Sequence, residues 1–340
     1  MTRSALRTRA FRDLLVVVVL VFGVGSIAML LAHVSPVDGF YALFDGAFGT
    51  KGEIAETLVQ TTNLLFPALG IAIAFRAGLF NIGAEGQLIM GGFLAGWLGA
   101  QFPLPGYLAV PMVLLAGAVG GGLWGAIPGL MRARFGANEV ISTLMLNVVA
   151  VLLTTYLVTG PLQQGAAGAS ETGPLPKSAQ LLHLFGTQLT WSFVLAVVLA
   201  VVLHWLLRRT VFGYELRAAG DAPEAAKRAG IDLGRTALVA MTLSGAIAGV
   251  GGAAIVAGVL HRFNTGLSPG YGFIAIAVAL VGNLNPLWII VASFAFGVLA
   301  SGAIGMQTEA QVPREVISLI IGLVIIALAG RRVIASRRSA

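Results

Sequence analysis

The 340-residue chain has no cysteine, which excludes disulfides, thiolate catalysis and cysteine-held metal ions. Charge is scarce: Asp, Glu, Lys and Arg make up 10% of the residues. No Asp, Glu or Lys falls deep in a long apolar run; the nearest, Glu139 and Glu315, stand at run ends. Carriers driven by protons or sodium keep ionisable groups within the membrane for function, because such groups are costly there. Their scarcity points to energy supplied from outside the chain. The G-x-x-x-x-G-K-S/T phosphate loop is missing, so the chain does not bind ATP in that manner. The four histidines, His33, His183, His204 and His261, lack His-Glu-x-x-His spacing, and each lies near the end of an apolar run, suited to an interface. The runs contain no Ser/Lys, Asp/Asp or metal constellation, which counts against an intramembrane enzyme.

Apolar surface is what the chain has in excess. It is 57% hydrophobic with a mean hydropathy of +0.91, so the bilayer must be its solvent. The reading is an all-α integral membrane protein of about ten spans: Leu14–Ala32, Thr57–Phe75, Leu88–Ala100, Tyr107–Met131, Val140–Thr159, Trp191–Leu207, Thr236–Leu260, Phe273–Val281, Leu287–Ile304 and Glu315–Gly330. Leu14–Ala32 follows four arginines, like a signal peptide, but is long enough to span and lacks a small-x-small cleavage site, so it reads as a retained span. In this layout both termini are inside, and 17 of the 21 lysines and arginines fall on the inner side, as the positive-inside rule requires. The +7 net charge therefore needs no nucleic-acid partner. Residues 1–340 read as one transmembrane domain: a first half at 57–159, an outside loop at 160–190 expected to be the least ordered part, an inside loop at 208–235, and a second half at 236–330.

Two spans are too short to cross alone. Leu88–Ala100 follows Gly78-Leu-Phe-Asn-Ile-Gly83, and Phe273–Val281 follows Gly266-Leu-Ser-Pro-Gly270. The halves run in opposite senses, the pattern of inverted repeats whose broken helices meet near the midplane; ordinary helix irregularity is the alternative. Gly117, Gly121, Gly125 and Gly129 recur every four residues and predict close helix packing. The polar residues within spans, among them Asn63, Thr143, Asn147 and Ser244, are uncharged, and suit either a neutral hydroxyl-rich solute or helix–helix hydrogen bonds.

The 208–235 loop holds ten charged residues in 28 positions. Asp221-Ala-Pro-Glu224 predicts a capped helix start, with Asp221 as N-cap, Pro223 in the first turn and Glu224 reaching back. Gly230 predicts a left-handed stop, giving a helix of about eight residues. Glu224 and Arg228 share a face, while Ala225, Ala226 and Ala229 predict a small-residue surface for close approach by another protein.

GYELRAAGDAPEAAKRAGI at 213–231 resembles the cytoplasmic coupling loop of sugar and nucleoside ABC importer permeases. FRAGLFNIGAEGQ at 75–87 and GANEVISTLMLN at 136–147 resemble signatures of the nucleoside and simple-sugar branch of the ribose-type permeases. The resemblance implies a permease subunit in the bacterial plasma (inner) membrane that imports nucleosides or simple sugars. It implies three partners: an ATP-binding subunit that carries the ATP, a second permease that is often a different chain, and an extracytoplasmic binding protein of the basic-membrane-protein-like kind. No cofactor is implied on this chain. Coupling is expected from Gly213, Glu215, Arg217, Gly220, Asp221, Pro223, Glu224, Ala225, Ala226, Arg228 and Gly230. Asn63, Asn81, Glu85, Gln87, Asn138, Glu139 and Asn147 are expected to shape the path, with helix capping the structural alternative for Glu85 and Glu139. The competing reading is a stand-alone carrier or channel for a neutral polar solute. The two readings part on energy source: the purified chain alone is expected to hydrolyse no ATP and to move no solute down an imposed proton gradient in vesicles, and gradient-driven uptake would overturn the ATP-driven reading.

Overall fold

The computed structural model describes residues 22–102, 104–163 and 170–324. The chain is all-helical, and among the described residues extended structure is limited to isolated bridges at Glu171–Asn264 and His183–Thr190. The helices are α1 (Phe22–Leu31), α2 (Pro36–Phe48), α3 (Lys51–Arg76), α4 (Ala84–Gln101), α5 (Gly106–Phe135), α6 (Glu139–Thr159), α7 (Trp191–Arg209), α8 (Val211–Asp221), α9 (Pro223–Arg228), α10 (Leu233–Ile255), α11 (Tyr271–Val281), α12 (Pro286–Thr308) and α13 (314–324). A single π turn, Val256–Leu260, extends α10.

Among the described residues six helices are long and apolar enough to cross a membrane: α3, α5, α6, α7, α10 with its π turn, and α12. A seventh is formed if α1 and α2, bent by 116°, are one broken span. The expected ten is therefore not reached among the described residues. The 18-residue α4 has Glu85, Gln87 and Gln101 among its apolar residues, and α11 is 11 residues long. The expected first and last spans lie partly outside the described residues.

The chain divides into two compact units, 1–57 with 297–340, and 58–296. The first packs Met29, Leu43, Met306, Val312, Ile317 and Ile320. Gly46 and Gly305 meet backbone to backbone there, and the Ser301 hydroxyl donates to the Gly46 carbonyl at 2.9 Å. Ser35 caps α2 by accepting from Asp38 N–H.

The second unit is built on glycine. On α5, Gly117, Gly121 and Gly125 lie against Gly245 and Gly249 of α10, and Gly91 of α4 meets Gly249 from another side. A Cβ at Gly121 would lie 2.7 Å from Gly249 Cα, and one at Gly125 would lie 3.1 Å from Gly245 Cα. With no side chains between them the backbones touch, which maximises dispersion contact where lipid supplies no hydrophobic drive. The expected close packing is thus found. It makes α10 central, with 72% of its apolar window buried, against 22% for α6. Apolar layers complete the unit: Leu88, Phe93, Val113, Phe263 and Leu267 pack together, with the Phe93 and Phe263 rings edge to face at 5.5 Å.

Of the 160–190 loop expected to be the least ordered part, 164–169 lie outside the described residues, while 170–190 fold onto the C-terminal end of α10. Leu181 N–H donates to the Ala257 carbonyl, Leu175 N–H to His261, and Thr172 N–H to Phe263, at 2.8–2.9 Å. Leu175, Ala179, Leu181 and Leu189 are buried, and Arg262 pairs with Glu171 at 2.6 Å. The composition of the loop is polar and glycine-rich, but its spaced leucines anchor it, and the π turn and the chain beyond it offer carbonyls for its backbone. Burial, together with the neighbouring His183, pushes the His261 imidazole below its ordinary value, so this ring is neutral in the clamp at pH 7.

The interlock predicts a sharp contrast between adjacent glycines. Gly121→Ala places a methyl group against the α10 backbone and is expected to cost about 1–3 kcal/mol. Gly122→Ala, whose nearest neighbour would be Ala246 Cβ at 3.4 Å, is expected to be nearly neutral. Thermal unfolding of the two purified variants checks this; equal midpoints would refute the interlock.

Candidate functional site

Two helix breaks define the site. At the first, α3 ends at Arg76 and α4 starts at Ala84; at the second, α11 starts at Tyr271 after the 266–270 turn. The breaks meet: Gly272 lies against Ala84 and Glu85 so closely that no side chain fits, and its N–H donates to Glu85 Oε2 at 2.7 Å. Beside it, Ser268 Oγ accepts from Gly270 N–H at 3.3 Å and from Tyr271 N–H at 3.0 Å. Glu85 thus sits in the first turn of α4 and at the N-terminus of α11, where unpaired N–H groups favour a negative charge. It is 6% exposed. Hydropathy places Glu85 in a polar turn, so the reading of the apolar runs does not foresee this enclosed carboxylate.

The first break is held by amides. Asn81 and Gln87 exchange hydrogen bonds, Nδ2 to Oε1 at 2.9 Å and Nε2 to Oδ1 at 3.2 Å. Asn81 Nδ2 also donates to Ser244 Oγ of α10 at 2.8 Å, and Asn81 Oδ1 accepts from Gly83 N–H at 2.9 Å. Asn147 of α6 holds the same strip from the other side: its Oδ1 accepts from Gly86 N–H at 2.8 Å and its Nδ2 donates to the Ile82 carbonyl at 2.9 Å. Thr143 Oγ1 accepts from Ile82 N–H at 3.3 Å. The structure therefore brings Asn81, Gln87 and Asn147 together, with Glu85 beside them on α4. Their polar atoms are engaged in holding the backbone where regular helix hydrogen bonds stop, as buried polar groups must be.

The other expected path residues lie elsewhere. Asn63 is buried on α3 outside this network. Asn138 is an exposed N-cap of α6, accepting from Val140 and Ile141 N–H. Glu139, in the first turn of α6, approaches Arg132 at 3.6 Å.

The 208–235 loop differs from its expected form. Asp221 is the last residue of α8 and caps nothing; α9 is six residues long and starts after Ala222 without a side-chain cap. The Asp-Ala-Pro-Glu pattern fits a cap locally, but the face formed by Gly213, Leu216 and Ala219 buries against the protein and extends helix through Asp221. Thr210 caps α8, accepting from Gly213 N–H at 3.1 Å, and Asp232 caps α10, accepting from Arg235 N–H at 3.0 Å. Gly230 is left-handed as expected, with φ +86°. Ala226 is buried and so is not part of an outward small-residue surface; Pro223, Glu224, Ala225, Arg228 and Ala229 are exposed, and Glu215 and Arg217 are half-buried.

The loop and the first break touch at Gly220 and Gly78. A Cβ at Gly220 would lie 2.8 Å from Gly78 N, and Gly78 itself has φ +75°. Sequence reasoning passed over this contact, although both glycines stand in the quoted motifs. From the same turn, Arg76 Nε donates to the Leu284 carbonyl at 3.2 Å, tying it to the chain after α11. There Asn283 and Leu284 both have positive φ, and Asn285 Oδ1 lies 3.0 Å from His204 Nδ1 of α7.

Comparisons with known proteins bear on the family of the chain. A family model described as "Branched-chain amino acid transport system / permease component" matches residues 53–329. The chain is 36% identical to a guanosine ABC transporter permease protein of Bacillus subtilis, covering 93% of this chain and 92% of the relative. It is 33% identical to a glucose ABC transporter permease protein of Haloferax volcanii, over 90% and 83%. With a nucleoside ABC transporter permease protein of Lactococcus lactis it shares 32% identity, over 96% and 93%.

The amide network predicts that Asn81→Leu strands Gly83 N–H and the polar ends of Gln87 and Ser244. Each buried unpaired group costs about 1–3 kcal/mol, so a large drop in the thermal midpoint is expected. Asn138→Leu, at an exposed cap, is expected to cost about 1 kcal/mol. If the two variants melt together, the network does not hold the break.

Proposed function

Because the chain belongs to the family of branched-chain amino acid transport system / permease components, we propose that its pinned helix breaks form the gated path of an ATP-driven importer and that α8 and α9 couple this path to a separate ATPase. The chain is a multi-pass ABC transporter permease subunit and not an enzyme. Its solute is a nucleoside or a simple sugar. The relatives are named for guanosine, nucleosides and glucose, and the spans hold uncharged amides and hydroxyls suited to such solutes.

In this reading residues 1–340 form one domain of ten spans with both ends and the 208–235 loop in the cytoplasm, and 57–159 and 236–330 are halves of opposite sense. The distribution of lysine and arginine supports this. The partners are an ATP-binding subunit, which holds the ATP, a second permease and an extracytoplasmic binding protein. The bilayer is that of the bacterial inner membrane.

The observation that carries the proposal is the Gly220–Gly78 contact. Force applied to α8 and α9 by a nucleotide-driven partner reaches the 77–83 turn without an intervening flexible side chain. From there it acts on the Asn81–Gln87–Ser244 network and, through Arg76, on the chain beyond α11. Exposed residues of α9, namely Pro223, Glu224, Ala225 and Arg228, form the docking face, while buried Ala226 holds α9 in place. Asn81, Glu85, Gln87 and Asn147 shape the path by fixing the backbone around it, rather than by contacting the solute.

Gly220→Val tests the linkage in cells expressing the full set of subunits. Because α9 keeps its exposed face, the ATPase is expected to co-purify and to hydrolyse ATP, while solute uptake falls at least about tenfold, equivalent to about 1.4 kcal/mol of lost coupling. Normal uptake with normal assembly would refute it.

A further inference from the structure

At the end that bears the 208–235 loop, a cavity of about 470 Å³ opens between α7, α8 and the turn before α12. Arg76, Arg208, Arg209 and Arg217 line it, with His204 and Asn285. Four guanidinium groups from three helices thus share one space without a carboxylate in its lining. Among the described residues, Arg208, Arg209 and Arg217 have no ion-pair partner within bonding distance; Asp221 acts on Arg76 only at longer range. Arg76 itself is fixed by the carbonyls of Asn283 and Leu284. Like charges gathered in this way repel unless an anion joins them, and guanidinium forks match phosphate oxygens in geometry.

The rim indicates where the anion comes from. The outer faces of α7 and α12 beside the cavity are apolar and exposed, including Val201, Val202, Val291 and two tryptophans, Trp205 and Trp288, 59% and 62% exposed. Indoles of this kind sit at the headgroup level of a bilayer. Acyl chains can therefore lie along α7 and α12 while the headgroup enters the basic space, as expected of basic pockets between helices. We propose that this cavity binds the phosphate of an anionic phospholipid. Phosphate is the recognised chemistry, and the apolar rim assigns it to a lipid rather than to a free anion. A bound headgroup bridges Arg76, Arg208 and Arg217, and so draws α8 towards the turn that Arg76 holds. The lipid then stabilises the arrangement in which α8 meets Gly78.

The test uses the full-length chain purified with its partner subunits, and counts lipids retained in native mass spectrometry after exposure to mixed phosphatidylglycerol and phosphatidylcholine vesicles. Selective retention of phosphatidylglycerol is expected. At about fivefold per positive charge, the Arg208→Gln/Arg209→Gln double variant is expected to weaken it about 25-fold. Arg134→Gln, exposed and outside the cavity, is the charge control and is expected to change it less than about twofold. Millimolar inorganic phosphate is expected not to displace the lipid. Equal retention of both lipids, or an equal loss in the control, overturns the proposal; displacement by inorganic phosphate without lipid preference assigns the cavity to a free anion and overturns the lipid. If the double variant does not assemble, Arg217→Gln alone gives the same reading at about fivefold.

Discussion

The 58–296 unit depends on backbone approaching backbone. Gly117, Gly121 and Gly125 on α5 and Gly245 and Gly249 on α10 leave no room for a side chain, and Gly91 brings α4 into the same contact. Closely packed helices of this kind resist bending and sliding, so they provide a fixed frame. Against that frame two helices can be broken without the unit losing its shape. The orphaned N–H and C=O groups at the breaks are then met by Asn81, Glu85, Thr143, Asn147 and Ser268, with Gln87 holding Asn81. Irregular backbone is tolerated in a membrane protein only under such conditions.

This division of labour changes the meaning of polar residues within the spans. A buried amide is a natural candidate for contacting a polar solute. Here Asn81 and Asn147 are engaged on both oxygen and nitrogen by protein groups. In the proposed function their contribution to transport is geometric, because they hold the backbone where α4 begins. Glu85 does the same, joining the first turn of one helix to the start of another. The Gly272 N–H bond makes the Glu85 side chain a fastening between the two breaks.

Much of this was legible in the sequence because membranes impose strong patterns. The apolar runs, the breaks near Gly83 and Gly270, the four-residue glycine repeat and the left-handed Gly230 follow from local rules and appear where expected. What was not legible depends on distant partners. Asp221 carries the signature of a cap, yet the burial of Gly213, Leu216 and Ala219 extends α8 through it. The composition of 170–190 suggests a loose loop, but carbonyls at 257–263 organise it. Arg76 looks like one more inner-side positive charge; its hold on residues 283 and 284 joins positions more than 200 apart in the chain.

The π turn at Val256–Leu260 is the last turn of α10, and the Ala257 carbonyl within it takes up the Leu181 N–H. A π turn closes over one residue more than an α turn, so it sets the direction in which the chain leaves the helix at left-handed His261. Deleting a single residue in the turn would shift His261 and Phe263 out of register with the Leu175 and Thr172 N–H groups they accept from. The length of this turn is thus a structural constraint, set by the carbonyls that the loop needs.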